Sequence, residues 1–182
     1  MVLVAAVVLA ALTVPLAGGR LGALVELRLR HGWAIFAALA LQVAALDLPG
    51  LPEGLRPVLM VTSYLVGAVF LAANRRVPGI ALVAAGGALN LVAILANGGV
   101  MPASPSALAA AGLPLDEPGF QNSAAVADAR LAFLGDVLYI PASWPFSNVF
   151  SIGDVLIALG IAWGLHRVCG SRLTPPWTAP SP

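Results

Sequence analysis

Apolar runs of helical length, separated by short turns, fill most of this chain: residues 2–18, 33–48, 55–73, 80–96 and 152–168. A helix needs about 20 predominantly apolar residues to cross a bilayer, and lipid obliges the segment to satisfy its backbone polar groups internally. Five such runs within 182 residues leave too little polar sequence to clothe a soluble globule. Charged residues make up 9% of the chain, where soluble proteins carry about a quarter, and mean hydropathy is +0.96. The expectation is an all-α, polytopic transmembrane helix bundle of about five spans. It is a single domain over 1–170, with a long extracytoplasmic loop, 98–151, before the last helix and a disordered cytoplasmic tail over 171–182.

Orientation follows from the arginines, which supply every basic side chain apart from two histidines. Alternating five spans sets Arg20, Arg28, Arg30, Arg75, Arg76, Arg167 and Arg172 on one side and only Arg56 and Arg130 on the other. The positive-inside rule makes the first side cytoplasmic, so the N-terminus lies outside and the C-terminus inside a bacterial plasma membrane. The first run has no basic segment before it and reads as a retained span rather than a signal peptide. Between the first two runs, 20–30 reads as a short interfacial helix with Glu26 four residues before Arg30. The arginines are scattered over short loops and build no basic face, which excludes nucleic acid as a partner. The single cysteine, Cys169, excludes an internal disulfide and a cysteine-based metal cluster, and it reads as an inert thiol.

One word is written almost twice: Leu134-Gly135-Asp136-Val137-Leu138 and Ile152-Gly153-Asp154-Val155-Leu156. Its second copy puts Asp154 at the mouth of a hydrophobic span, where a carboxylate is costly and turns toward protein or water. Two carboxylates that crowd together cannot both ionise easily, so one stays protonated as a general acid while the other activates water. Asp136 and Asp154 are the natural catalytic pair of an aspartic peptidase, with Asp128 as a spare. A structural reading stands beside it: Ser151 as N-cap with Asp154 at the acidic position of a capping box, and Asp136 capping or pairing with Arg130.

Asn90 and Asn97 lie two helical turns apart on one face. Asn90 fits an interhelical hydrogen bond, and Asn97, before Gly98-Gly99, fits a helix C-terminus in the left-handed conformation. With Arg130 and Ser151 they form the candidate polar or ligand-binding cluster. Thr62, Ser63 and Tyr64 read as hydroxyls bonding back to their own helix. Within the long loop, the proline-bearing first half reads as irregular, and Ser123 to Leu134 reads as a short helix capped by Asn122 or Ser123. The apolar and aromatic run Tyr139, Ile140, Trp144, Phe146 and Phe150 reads as a loop dipping into the interface or packing on the bundle. No phosphate-cradling glycine loop, zinc-type histidine pair or nucleophile elbow is present, so no metal and no cofactor are expected. His31 and His166 fall on the cytoplasmic side, away from the aspartates.

Two resemblances rest on these residues. Asn97-Gly98-Gly99-Val100-Met101-Pro102, Phe133-Leu134-Gly135-Asp136 and Ser151-Ile152-Gly153-Asp154-Val155-Leu156, with the five-run layout, resemble an uncharacterised family of bacterial integral membrane proteins carried under a domain-of-unknown-function label. That likeness covers nearly the whole chain and implies no activity. Trp144 to Asp154 is similar to the last-helix motif of lipoprotein signal peptidases, which implies a catalytic role for Asp154. The spacing from Asn148 to Asp154 is longer than in that motif, and Asn97-Gly98-Gly99 stands where the peptidases carry an Asn followed by an Asp-Arg pair. Three functions follow: a non-catalytic assembly partner or lipid- or apolar-ligand-binding protein at the extracytoplasmic face; an intramembrane aspartic peptidase acting on a lipidated substrate; and a small transporter or channel subunit. Each has the lipid bilayer as its first partner, with a second membrane protein in the first case.

Overall fold

The structure, a computed structural model, describes residues 2–115, 123–175 and 177. It is mostly helical. Five long helices fall on the apolar runs, α1 (Val2–Leu16), α3 (Trp33–Asp47), α4 (Leu55–Ala73), α5 (Ile80–Ala96) and α7 (Ile152–Val168). By length and composition α4 is able to cross a membrane; α1, α3 and α5 are apolar but shorter. The expected interfacial helix is only the four-residue α2 (Ala23–Glu26), after which the chain is extended at Leu27. Glu26 and Arg30 form no ion pair, because the helix that would set them four residues apart on one face ends before Arg30.

Contacts at the helix ends fix their directions. Asn74, which caps α4, grips the backbone of Arg30 just before α3 through two bonds of 2.9 Å. At the opposite end Arg56, in the first turn of α4, donates to the carbonyls of Ala45, Leu46 and Leu48 that end α3. These helices are therefore antiparallel, and the Arg56 guanidinium satisfies carbonyls that a helix C-terminus leaves free. Helix α1 runs parallel to α7, with Thr13 Oγ1 3.1 Å from His166 Nε2. His166 Nδ1 lies 2.8 Å from Ser171 Oγ, and the Arg172 amide donates to Ala17, so the start of the expected tail is packed against α1. Pro176 and Pro180 of that tail lie outside the described residues.

Helices α5 and α7 pack antiparallel along a seam of small residues. Gly79, Val83, Gly86 and Asn90 face Gly164, Gly160, Ile157 and Gly153, each set repeating at four, three and four residues, which is one face of a helix. A Cβ on Gly79 would run into the Gly160 carbonyl, and one on Gly86 into that of Gly153. Gly87, one position on, has nothing within 4 Å. The seam thus lets two backbones touch.

The connection between α5 and α7 is a folded lobe rather than an irregular loop. Helix α6 (Pro105–Ala111) opens with proline in its first turn and closes at Gly112 with φ 68°, a position where a left-handed residue is needed. Strand β1 (Met101–Pro102) pairs in parallel with β2 (Ser123–Ala124), and β3 (Leu138–Ile140) pairs with β4 (Asn148–Phe150) as an antiparallel hairpin. Ala103, Ala107, Leu108, Ala111 and Val149 make a small core of their own. The helix expected over Ser123 to Leu134 is absent: Ala124 is tied to Ala103 by a backbone bond, Asp128 and Leu131 take φ 51°, and only a 3-10 turn, Ala132–Leu134, remains. Asn122, the alternative cap, lies outside the described residues.

Candidate functional site

Where α5 meets the start of α7 and the lobe closes over both, polar side chains converge. Ser151 is the N-cap of α7. Its Oγ accepts from the Asp154 amide, while Asp154 Oδ2 accepts from the Ser151 amide at 3.0 Å, a complete capping box. Asn90 joins it from α5: its Nδ2 donates to Asp154 Oδ1 at 2.9 Å, and its Oδ1 accepts from Ser151 Oγ at 2.9 Å. Ser151 and Asn90 are buried. Gly153 makes the approach possible, because a Cβ there would overlap the Asn90 side chain. Two hydrogen bonds thus clasp α5 to α7, two more close the cap of α7 itself, and both oxygens of Asp154 hold protein donors.

Asp136 approaches from the lobe. Gly135 packs against the Pro102 carbonyl with no room for a Cβ, the Asp136 amide donates to Pro102, and the Asp136 carbonyl accepts from Ser104. In each copy of the repeated word, therefore, the glycine gives close contact and the aspartate after it is delivered to a fixed place. Asp136 is 4% exposed, its Oδ2 accepts from Ser123 Oγ, and it lies within the electrostatic reach of Asp154. Burial pushes its carboxyl up from 3.8 to about 6; the Asp154 charge adds to the rise and the Ser123 hydroxyl opposes it.

Between those two values the folded protein holds a proton that the unfolded chain has released, so stability falls as pH climbs through this window and stays lower above it. The difference is about 2–3 kcal/mol. Asp136→Asn is expected to abolish that slope and to raise the unfolding temperature at pH 7.5 relative to wild type; thermal unfolding of both proteins from pH 4.5 to 7.5 measures it, and identical profiles would refute it.

Asn97 and Arg130 meet apart from the clasp. Asn97 Nδ2 donates to the Arg130 carbonyl at 2.8 Å and its Oδ1 accepts from the Arg130 amide at 2.9 Å, pinning the lobe to the end of α5. Asn97 itself is not left-handed; Gly98 and Gly99 take φ 68° and 97°. Among the described residues Arg130 pairs with neither Asp128 nor Asp136, because Arg130 is held by its backbone and Asp128 is exposed. The tyrosine on α4 belongs to the site as well: Tyr64 lies beside the Asn90 side chain, in the field of both aspartates. Thr62 and Ser63 do bond back to Val58 and Met60, but a phenol is too long and rigid to reach the carbonyl four residues behind it. That length was the signal for Tyr64; Ser123 had none.

Fold and site together define a small helical bundle whose last two long helices are locked by a largely buried Ser-Asn-Asp clasp under a separate lobe. Residues 26–165 match the model of a family of unknown function, DUF5317, and the chain belongs to that family. It is also similar to an uncharacterized protein of Thermotoga maritima, 30% identical over 106 residues, which is 58% of this chain and 61% of that protein. The chain thus spans about three fifths of the length of that relative. No solved structure matches.

Proposed function

We propose that this chain is an integral membrane protein of about five spans, oriented with its arginine-rich end in the cytoplasm. It serves without chemistry of its own, as an assembly partner or a binder of lipid or another apolar ligand through its extracytoplasmic lobe. One observation carries the reading. Helices that are apolar on every side belong either in a protein core or in lipid, and these are not in a core. Leu16 is 85% exposed, Phe36 74% and Val4 65%, while only 17% of the apolar window of α4 is buried inside the protein. Alternating helix directions also bring seven of the nine arginines to one end, the bias expected of a cytoplasmic face.

The lobe supplies the contact surface. Trp144 and Phe146 are 67% and 64% exposed at the tip of the β3–β4 hairpin, and Phe146 is held at φ 63°, unusual for a bulky residue. Exposed aromatics on a folded tip fit an interfacial anchor or a docking point for an apolar partner. A peptidase draws on a different observation, the approach of Asp136 to Asp154. It is disfavoured because Asp154 already spends both oxygens on Asn90 and the helix cap, leaving water little to bind.

Cysteine labelling tests the arrangement. In a Cys169→Ser background, Ser143→Cys on the hairpin loop is expected to react with a membrane-impermeant maleimide in intact cells, and Leu173→Cys only after lysis. Carbonate washing should leave the protein in the membrane pellet. The reverse labelling pattern, or release by carbonate, overturns the proposal.

A further inference from the structure

At the end of the bundle opposite the clasp, a half-open cleft of about 1080 Å³ lies between the segment after α2 and the turn after α4. Arg28, Arg30, Arg75 and Arg76 line it, with Glu26 as the one carboxylate among the described lining residues. The sequence scatters these arginines over two turns 45 residues apart, and the fold gathers them. What gathers them is built into the protein: Asn74, 4% exposed, binds the Arg30 amide and carbonyl at 2.9 Å each while its Nδ2 also donates to Phe70 at 2.8 Å, locking one arginine segment to the helix that carries the other. All four arginine side chains are exposed, and among the described residues no carboxylate pairs with them. Four guanidiniums around one cavity repel each other, and an anion with several acceptor oxygens relieves that repulsion through charge-assisted, bidentate bonds. Apolar side chains share the lining, among them Leu27, Ala72, Val77 and Val168.

We propose that this cleft binds a phosphate group carried on an apolar molecule, an anionic phospholipid headgroup with its glycerol and upper acyl chain against Leu27 and Val77. A lining that mixes arginines with apolar side chains suits that amphiphile better than a free phosphate ester, which leaves the apolar side chains unused. The lipid source rests on the membrane reading above; the phosphate chemistry does not.

The test uses the full chain purified in a neutral detergent, with dioleoylphosphatidylglycerol, dioleoylphosphatidylcholine and glycerol 3-phosphate as probes and the shift in unfolding temperature and the apparent Kd as readouts. Phosphatidylglycerol is expected to bind and stabilise, more weakly as salt rises, and phosphatidylcholine not to. Arg28→Gln with Arg30→Gln, and separately Arg75→Gln with Arg76→Gln, are expected to weaken binding by about tenfold or more. Arg20→Gln, outside the cleft lining, is expected to leave it unchanged. Each pair is judged only where its ligand-free unfolding temperature matches wild type, and the matching Arg→Lys pairs keep the charge should a Gln pair fail to fold, with partial loss of affinity expected from the lost bidentate geometry. Equal binding of phosphatidylglycerol by wild type and both Gln pairs, or no binding at all, overturns the site. Glycerol 3-phosphate binding as tightly as phosphatidylglycerol overturns the lipid and keeps the phosphate; intact cleft binding alongside reversed cysteine labelling separates this site from the proposed orientation.

Discussion

Gly86→Ala is expected to lower the unfolding temperature of the purified protein by roughly 5–10 °C, the equivalent of about 3 kcal/mol in a chain of this length. Adding one methyl group would ordinarily stabilise a helix, by up to about 1 kcal/mol relative to glycine. Here the methyl meets the Gly153 carbonyl, with the Ile157 amide 3.0 Å away, and both are backbone atoms that no rotamer change can move. The helices must part, and parting lengthens the 2.9 Å bonds of the Asn90 clasp one turn further along, so packing and hydrogen bonding fail together. Gly87→Ala is the matched control, with open space around it, and is expected to be neutral or slightly stabilising. Equal losses from the two substitutions would show that general helix disturbance, not the seam, sets the effect.

That adjacent pair also marks how far the sequence could be read. Either glycine of the pair allows a close helix contact, and which of them faces the neighbour depends on the register of α5 against α7. The long helices were legible because each is an unbroken apolar run and helical bonding is local. So was the Ser151-Asp154 capping box, whose partners are three residues apart.

The lobe was not legible, because its order comes from pairings between distant short segments. Met101 pairs with Ser123 and Ala103 with Asp136, and two-residue strands carry no periodicity. Asn90 suggested an interhelical bond, yet its partners, Ser151 and Asp154, lie more than 60 positions away. The cleft at the other end shows the same limit: arginines that look dispersed along the chain become neighbours once α3 and α4 are antiparallel.

The clasp can be run backwards, and the double substitution Asn90→Asp with Asp154→Asn is expected to restore most of the stability that either change removes. Asn90→Asp alone sets a second carboxylate against Asp154 where an amide had donated, replacing a 2.9 Å hydrogen bond with like-charge repulsion in a partly buried place. Asn90→Ala strips Asp154 Oδ1 of its donor and the buried Ser151 hydroxyl of the acceptor for its proton, at about 1–3 kcal/mol for each group left unsatisfied. In the exchanged pair every donor again meets an acceptor. The carboxylate introduced at position 90 accepts from the amide nitrogen at position 154 and from Ser151 Oγ, while the amide oxygen at 154 still accepts the Ser151 backbone N–H that closes the cap. A coupling energy of about 2 kcal/mol or more is expected from the double-mutant cycle in thermal or denaturant unfolding. The same protein separates the two roles of Asp154. As a structural clasp, the exchanged variant keeps both its stability and its cellular function. An aspartic hydrolase would regain the stability and lose turnover of a lipidated substrate, because the acid has moved from the mouth of α7 to the middle of α5. Rescue of folding with loss of processing would therefore replace the non-catalytic reading with the peptidase; no rescue of folding would mean that Asn90 and Asp154 do not act as a pair.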